Sequence, residues 1–545
     1  MPETKKDADV IVVGAGIAGM VAALELLDAG QEVILLDRDQ ESEMGGLARW
    51  AFGGMFFADS PVQRRMGIRD SVDLALRDWN TFAEFGPEDE WGQKWAEQFV
   101  HFSTPHAYDW LRQLGLRFFP VVHWVERGLF QPGNSVPRFH LLWGTGWELA
   151  RVVEKRLRKH KFADRLYLKF RHRVTDLIMQ HGRVSGVRGT REENGEPFEW
   201  QAGSVIIATG GINGNIARVK ANWHPDLGQP PERILNGSHP YALGDMHDAS
   251  RRISGVVTHL NRQWNYAAGV LHPNPRHPEH GLSLIPPRSA LWLNYRGERI
   301  GPIPLVAGYD TRFLVERICR EDKKYSWMVL NQRIAQKELA ISGSEHNPAV
   351  RDKRLLAFLR TLLFGNRALV SQLIEDCEDV VIADTIAGLA RRMNEITGTQ
   401  DVDTHLLRAA IERYDTNVGR KPKFHNDEQL RRIAHLRQYR GDRIRISKYP
   451  KINDPKAYPL IAIRTHILSR KSLGGIQTDL KCRVLSYPRG GRQEPIPGLY
   501  AVGEAAGFGG GGLHGLRALE GTFLSACVIT GRVAARSIAG VRLMV

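Results

Sequence analysis

A β-branched run, a glycine loop, an apolar helix and a second strand follow one another over residues 9–37, and this order predicts an α/β fold of the Rossmann type. Residues 9–13 (Asp-Val-Ile-Val-Val) are typical of a buried parallel strand. Residues 20–29 carry apolar side chains at helical spacing and stop at Gly30, a residue that commonly ends helices. The second strand is predicted over residues 32–36.

The loop between the first strand and the helix has the spacing of a nucleotide-binding turn. Gly14 permits a tight turn, Gly16 lets the backbone approach a pyrophosphate, and Gly19 lets the helix and the strand pack closely. The helix N-terminus would face the anion with its N–H groups, and Asp37 can accept hydrogen bonds from ribose hydroxyls. The predicted contacts are Gly14, Ala15, Gly16, Ile17, Ala18, Gly19, Asp37 and Arg38. At this point NAD and FAD both remain open.

Bulk composition limits the other classes of protein. A chain of 545 residues suggests two or three domains. The net charge of +15 is spread along the chain without interleaved aromatics, so nucleic-acid binding is not expected, whereas a peripheral membrane contact stays open. Four cysteines without metal-ligand spacing predict neither a metal site nor disulfides. We see no signal peptide and no apolar run near ~18 residues, so a cytoplasmic location is expected. The oligomeric state is not predicted.

Two glycine pairs shortly after the second strand favour FAD. They lie in the segments 45–48 and 53–54, and they resemble the region of two-domain flavoproteins that approaches the diphosphate and the isoalloxazine of FAD. The predicted FAD contacts here are Gly45, Gly46, Leu47, Ala48, Gly53 and Gly54.

Five later segments resemble motifs of one flavoprotein family. Residues 204–211 resemble its "strand then ATGG" element, 244–245 the start of its "GDG" helix, 473–479 its "MGG…D" strand and 496–504 its last strand. Residues 520–532 resemble the helix whose N-terminal amides face the flavin pyrimidine ring, where they would stabilise negative charge. The family is that of succinate dehydrogenase, fumarate reductase and 3-ketosteroid dehydrogenase, and the likeness covers most of the chain.

The resemblance implies a fold, domains and further cofactor contacts. The fold is an FAD-binding Rossmann-like domain of the glutathione-reductase type with an inserted α+β capping domain. Residues 1–255 and 451–545 would form the FAD-binding domain, and residues 256–450 the capping domain. No histidine falls where the respiratory enzymes tether FAD, so non-covalent FAD is expected. The implied contacts are Ala208, Thr209, Gly210, Gly211, Asn215, Asp245, Gly503, Glu504, Gly521, Thr522, Phe523 and Leu524.

The same resemblance implies the catalytic residues. His272, in a His-Pro pair, resembles the family histidine that binds a substrate carboxylate, and Arg312 resembles its proton-donating arginine. Lys471 is similar to the lysine of the "TKGG" motif in the ketosteroid dehydrogenases. His514 stands in the final glycine-rich loop, where a titratable ring near the flavin suggests a role in catalysis. Arg517 lies one position from the place of the substrate-clamping arginine.

The predicted function is that of an FAD-dependent oxidoreductase that transfers hydride between flavin N5 and an activated C–C bond next to a carbonyl. The carboxylate clamp is out of register and residues 79–147 are rich in aromatics, so a ketosteroid-like substrate is favoured. The alternatives are a fumarate-reductase-like enzyme on a small dicarboxylate, a flavoprotein oxidase and a non-catalytic FAD-binding scaffold. The basic run 431–440 is interpreted as a solvated helix face.

Overall fold

The structure, a computed structural model, describes residues 7–487, 492–541 and 543. The chain divides into two compact units. Unit 1 contains Met1–Asn222, Ser238–Trp264 and Lys471–Val545, and unit 2 contains Trp223–Gly237 and Asn265–Arg470. The chain therefore leaves unit 1 twice and returns to it twice. The division into an FAD-binding domain of residues 1–255 and 451–545 and a capping domain of residues 256–450 stays a prediction.

The described residues form twenty strands. The strands are β1 (Asp7–Val13), β2 (Val33–Leu36), β3 (Gly54–Phe56), β4 (Phe139–Leu141), β5 (Leu166–Lys169), β6 (His172–Gln180), β7 (Arg183–Arg191), β8 (Pro197–Ile207), β9 (Leu235–Asn236), β10 (Val257–Thr258), β11 (Gln263–Leu271), β12 (Gly281–Ile285), β13 (Leu291–Leu293), β14 (Ser326–Asn331), β15 (Ala340–Ile341), β16 (Val380–Ala383), β17 (Leu460–Ser472), β18 (Gly475–Ile476), β19 (Arg483–Leu485) and β20 (Pro495–Ala501).

The helices are α1 (Ile17–Asp28), α2 (Leu47–Trp50), α3 (Pro61–Arg65), α4 (Val72–Ala83), α5 (Glu90–Phe102), α6 (Asp109–Gln113), α7 (Thr145–Arg158), α8 (Ile216–Ala221), α9 (Asp245–Arg252), α10 (Thr311–Cys319), α11 (Gln332–Glu338), α12 (Pro348–Arg351), α13 (Leu355–Phe364), α14 (Arg367–Asp376), α15 (Ile386–Thr397), α16 (Thr404–Gly419), α17 (Glu428–Gln438), α18 (Arg440–Arg443) and α19 (Thr522–Ile538). Within the described residues, none of these helices has the length and apolar character needed to span a membrane.

The main sheet of unit 1 is parallel through its central strands. Its order is β19-β20-β8-β1-β2-β5, in which β1 pairs in parallel with β2 and β8, β8 with β20, and β2 with β5. β6 and β7 extend it as an antiparallel pair beside β8. Residues 10–13 of β1 are buried, as expected for a parallel strand covered on both faces. This sheet confirms the predicted Rossmann-like α/β fold.

The register of the sheet brings the carboxyl ends of four parallel strands to one edge. Val13 pairs with both Leu36 and Ile207, and Ile207 pairs with Ala501. Ligands of open α/β sheets bind outside this edge. The residues that follow these four strand ends are Gly14, Asp37, Ala208 and, two positions on, Gly503.

The C-terminal helix α19 packs directly on α1. A Cβ at Gly531 would stand 2.6 Å from the Ala18 carbonyl oxygen, so a side chain there would force the two helices apart. Glu25 of α1 accepts hydrogen bonds from Arg532 at 2.6 Å and Arg536 at 2.7 Å. The last helix of the chain is thereby fixed to the first.

Unit 2 is built on a sheet in the order β13-β14-β17-β11-β12-β15, with β9 and β16 also pairing with β17. β14 and β16 run antiparallel to β17, whereas β9 runs parallel to it. The helices α10 to α18 belong to this unit, which gives it an α+β composition. The last two residues of β17, Lys471 and Ser472, belong to unit 1.

Some predicted limits differ from the observed ones by a few residues. α1 begins at Ile17 rather than at residue 20, because Gly16 is already the extended N-cap residue. β2 begins at Val33 rather than at residue 32, and the last strand ends at Ala501 before a short 3-10 turn over Gly503–Ala505.

Candidate active site

The turn after β1 depends on close backbone contacts. Gly14 has a φ of +109°, and a Cβ there would lie 2.4 Å from the Ala208 carbonyl oxygen. A Cβ at Gly19 would lie 1.9 Å from the Gly14 carbonyl oxygen. Neither position has room for a side chain, so these glycines set how tightly β1, α1 and β8 come together.

The start of α1 faces open space. Gly16 is its N-cap and offers no side-chain cap, and nothing lies within 4 Å of the position that a Gly16 Cβ would take. Gly45 lies beside this loop, since its N–H donates to the Ala15 carbonyl at 2.9 Å. An uncapped helix start next to free space fits a diphosphate group, which helix N–H groups and the helix dipole stabilise.

Asp37 stands at the end of β2 with its carboxylate already oriented. It accepts hydrogen bonds from the N–H groups of Ala15 and Asp39, the latter at 2.7 Å. Burial raises the pKa of Asp37, and the two backbone donors oppose that shift. Its neighbour Arg38 forms an ion pair with Glu192 and lies 4.5 Å from the ring centre of Tyr241. The carboxylate keeps acceptor capacity for ribose hydroxyls, because two oxygens can accept about four hydrogen bonds.

The glycine pairs after β2 are needed for packing. A Cβ at Gly45 would lie 2.6 Å from that of Ala150, and a Cβ at Gly53 would lie 2.8 Å from the Gly146 nitrogen. A Cβ at Gly54 would overlap the Phe139 ring. Leu47 and Ala48 begin the short helix α2 between the two pairs. These glycines therefore allow the segment to press against α7 and β4.

Several other residues that are predicted to contact FAD form hydrogen bonds within the protein. The Asn215 side chain caps α8 by accepting from the Arg218 N–H at 3.0 Å, and Asp245 accepts from Arg173 at 2.9 Å. Glu504 accepts from the Ser472 N–H at 2.9 Å, and a Cβ at Gly211 would meet both of these side chains. The role of each of these residues toward FAD stays a prediction.

The start of α19 is a second helix terminus without a side-chain cap. Its N-cap Gly521 has a φ of +99°, and its carbonyl accepts from the Phe56 N–H at 2.9 Å. A Cβ at Gly521 would lie 2.8 Å from the Phe139 ring. The Thr522 N–H donates to the Leu519 carbonyl at 3.3 Å, and no side chain among the described residues caps the other N–H groups of the first turn of this 17-residue helix, which the predicted contact with the flavin pyrimidine ring would use.

His514 is completely buried beside this helix start. Its Nε2 lies 2.7 Å from Thr522 Oγ1, and the Thr522 hydroxyl donates to the Leu519 carbonyl at 2.7 Å. Because that hydroxyl has a single proton, Nε2 carries the hydrogen and donates to Thr522. Nδ1 is then a bare acceptor, and it has no hydrogen-bond partner among the described residues. Burial and the charge of Lys471 lower the pKa of His514 to about 3, so the ring is neutral.

Aromatic rings enclose His514 and extend to Lys471. Trp79 stacks on the imidazole with 5.8 Å between ring centres, and Phe508 and Phe523 contact it at 5.3 and 5.0 Å. Lys471 Nζ lies 4.1 Å from the ring centre of Phe523. Unit 1 thus brings together two predicted catalytic residues, Lys471 and His514, at the start of α19. The ammonium over an aromatic face is a favourable cation–π arrangement.

The two predicted arginines pair with carboxylates. Arg517 forms an ion pair with Glu84 in unit 1. In unit 2 the buried Arg312 donates to Asp226 at 3.0 Å and lies 3.4 Å from His224 Nδ1. These contacts stabilise both guanidinium charges where they stand.

His272 lies in a histidine cluster of unit 2. Its Nδ1 accepts from the Asn274 N–H at 2.9 Å, so the hydrogen is on Nε2, 3.9 Å from Glu345. Burial lowers the pKa of His272 to about 4. Potential metal-ligand atoms of His272, Glu345 and His346 lie within 4.8 Å of one another. A protonated Nε2 is a hydrogen-bond donor, and the contact of His272 with a substrate carboxylate stays a prediction.

Sequence reasoning missed one polar feature in each unit. Trp264 Nε1 donates to Glu520 at 2.9 Å, which joins β11 to the residue two positions before α19. In unit 2, neither amide atom of the buried Asn265 has a hydrogen-bond partner within the part of the chain that the structure describes. No motif marks these residues, and only their buried polar atoms distinguish them from the apolar residues of the same strand.

Comparisons with known proteins agree with this geometry. A model of the family described as FAD binding domain matches residues 9–524. A KsdD-like steroid dehydrogenase of Mycobacterium tuberculosis is 43% identical over 98% of this chain and 96% of its own length. A fumarate reductase (cytochrome) of Shewanella frigidimarina is 24% identical over 96% of this chain and 76% of its own length.

A solved structure shares the fold. The 3-ketosteroid Δ1-dehydrogenase from Sterolibacterium denitrificans, in complex with 1,4-androstadiene-3,17-dione, aligns with a TM-score of 0.66 at 18% identity and covers 98% of this chain and 99% of its own. The chain belongs to the FAD-binding domain family. It is an FAD-dependent oxidoreductase of the dehydrogenase/reductase type, so the predicted family resemblance, fold class and cofactor are confirmed. The individual contact residues and the non-covalent attachment stay predictions.

Alanine substitutions at Gly14 and Gly16 should separate folding from FAD binding. Gly14→Ala should lower the free energy of unfolding by about 2 kcal/mol or more, because its Cβ meets the Ala208 backbone at a positive φ. Gly16→Ala should unfold within about 0.5 kcal/mol of the wild type, because its φ is −66° and its Cβ has room. Despite this near wild-type stability, Gly16→Ala should bind FAD with an affinity at least about tenfold lower than that of the wild type. Urea unfolding of the apoprotein and FAD titration measure the two effects, and equal losses of stability in both variants would contradict this assignment.

The buried His514 should make stability depend on pH. Its pKa is about 3 in the folded chain and about 6.5 when unfolded, so the unfolded state binds an extra proton between these values. Its stabilising contribution is complete above about pH 6.5 and falls by about 1.4 kcal/mol per pH unit below it. His514→Gln keeps a donor for Thr522 and should remove this part of the slope in urea unfolding between about pH 5 and 7. The exposed His181→Gln is the control, and an unchanged slope in His514→Gln would reject the neutral buried ring.

Proposed function

We propose that this flavoenzyme oxidises or reduces a C–C bond next to a ketone in a bulky, apolar, ketosteroid-like substrate. The observation that carries the proposal is the position of the Lys471 ammonium, which lies over the ring of Phe523 at the start of α19. The likeness to a steroid dehydrogenase at 43% identity supports the same substrate class.

The surroundings of Lys471 suit a large apolar molecule with one carbonyl oxygen. Phe508 and Trp264 lie near Phe523, with ring centres 5.1 and 6.4 Å away. Aromatic rings provide apolar surface for a polycyclic skeleton, and a cation among them attracts a carbonyl oxygen more strongly than it would in water. A dicarboxylate would instead need cations for both ends, and the arginine next to the expected clamp position, Arg517, is paired with Glu84.

Each residue has a proposed role. When bound, FAD takes up or supplies the hydride. Lys471 donates a hydrogen bond to the ketone oxygen and stabilises the negative charge that develops there. The neutral His514 positions Thr522 at the start of α19. The role of Arg312, whose guanidinium pairs with Asp226 in unit 2, stays a proposal from the sequence.

Replacing Lys471 should impair turnover more than cofactor binding. Lys471→Met should lower kcat about 100-fold or more, the usual scale for a lost donor to a developing oxyanion. Lys471→Arg should recover part of this loss, because it restores a cationic donor. Steady-state kinetics and flavin content are measured together, with the exposed Lys481→Met as the matched control. Wild-type kcat in Lys471→Met would reject the role.

Anaerobic reduction of the bound FAD tests the substrate class. Ketosteroids, acyl compounds and dicarboxylates are mixed with the oxidised holoenzyme, and bleaching of the flavin absorbance is recorded. We expect bleaching by ketosteroids. Bleaching by dicarboxylates alone would favour a fumarate-reductase-like enzyme, and peroxide release on turnover in air would favour an oxidase. Release of flavin on denaturation tests the non-covalent attachment. The cytoplasmic location and the roles of His272 and Arg517 stay proposals from the sequence.

A further inference from the structure

Helix α13 of unit 2 carries an exposed apolar face. None of its ten residues is buried. Leu355, Leu359 and Leu363 follow one another at intervals of four and form one stripe, and Leu356 lies beside it. Leu356 is 82% exposed, Leu363 69% and the terminal Phe364 71%. An unbroken face of large apolar side chains is unusual on a soluble surface and indicates an interaction site.

The backbone on either side holds this helix in a defined position. α12 ends at Arg351, only a few residues before α13 begins. After α13, Gly365 has a φ of +83°, and a Cβ there would lie 2.6 Å from the Gln336 carbonyl oxygen. The Asn366 N–H donates to that same oxygen at 2.7 Å, and the Asn366 side chain caps α14. The apolar face is therefore presented by an anchored helix.

Basic residues surround the apolar face. The segment 351–367 contains five basic residues and a single acidic one, Asp352. Arg354, Arg360 and Arg367 are exposed. On the C-terminal side the next acidic residues, Glu375 and Asp376, lie at the far end of α14, about 15 Å away along a ten-residue helix, and on the N-terminal side the next is Glu345. The surface thus combines leucines with positive charge.

We propose that α13 docks on the surface of an anionic lipid bilayer. Its leucine face would enter the boundary between headgroups and acyl chains, and the flanking arginines would lie among lipid phosphates. A ten-residue helix is about 15 Å long, which suits a helix lying in the interface and falls short of the ~30 Å hydrocarbon core. The site differs from the basic run 431–440, whose residues belong mostly to α17.

A second copy of the chain is the other occupant to consider. A stable interface buries about 800 Å² on each partner, much more than one face of a ten-residue helix offers. Two copies related by a twofold axis would also bring like charges together around the leucines. An anionic membrane offers an apolar region for the leucine face and negatively charged headgroups for the flanking arginines. The proposal goes beyond the proposed reaction and does not depend on the identity of the substrate.

Vesicle co-sedimentation of the full-length holoenzyme tests the proposal. Vesicles of equal phosphatidylglycerol and phosphatidylcholine should bind the wild type, whereas Leu356→Gln/Leu363→Gln should bind at least about tenfold more weakly. Phe364→Gln should weaken binding, and the matched control Phe424→Gln, at a residue 68% exposed, should not. Arg354→Gln/Arg360→Gln should lower binding to these vesicles and make it less sensitive to salt. All variants should keep wild-type flavin content and activity on a dissolved substrate.

Three outcomes would overturn the proposal. These are failure of the wild type to bind anionic vesicles, equal binding by the wild type and the double leucine variant, and equal effects of Phe364→Gln and Phe424→Gln. A concentration-dependent dimer that the leucine variant abolishes, without vesicle binding, would assign the face to a second copy. If the double variant loses flavin, the comparison of Phe364→Gln with Phe424→Gln decides alone.

Discussion

The backbone contact between the turn after β1 and the end of β8 determines where every other part of the nucleotide site lies. Gly14 and Gly19 approach Ala208 and each other so closely that any side chain would collide with a carbonyl. Because β1 also sets the register of β2 and β8, this contact places Asp37 and the open space beside Gly16 at one edge. Neither the helix dipole nor the ribose acceptor would face the ligand without it.

A buried ion network connects segments that carry aromatic residues near His514, much as close glycine contacts connect the turn after β1 to β8. Arg138 is wholly buried and donates to Asp70 at 2.8 Å and to Asp78 at 2.5 Å. Its chain neighbour Phe139 packs at the start of α19, and the residue after Asp78 is Trp79, which stacks on His514. Removing one partner of a buried pair typically costs about 3–5 kcal/mol, because the other charge is left buried without compensation. The pair of Arg138 and Asp78 joins the two segments that carry Phe139 and Trp79.

Structural features that depend on residues close together in the chain could be predicted from the sequence. The strand, glycine loop, helix and acidic residue over residues 9–37 follow from local periodicity and turn chemistry, and they match the structure within a few residues. Contacts between distant residues could not be predicted in this way. Arg517 is one position from a family motif, yet its partner Glu84 lies 433 residues away. Trp264 and Glu520, 256 residues apart, carry no motif at all.

The protonation state of His514 also depends on contacts between distant residues, and it determines the charge of this ring. A histidine among glycines suggests a titrating group, but its tautomer is set by Thr522 and its low pKa by burial among rings contributed from elsewhere in the chain. The ring therefore adds no positive charge to the site, and Arg517 is balanced by Glu84. The ammonium of Lys471 lies against an aromatic face at the start of α19. A positive charge over an aromatic face suits a developing ketone oxyanion, whereas a substrate with two carboxylates would require a partner for each desolvated carboxylate.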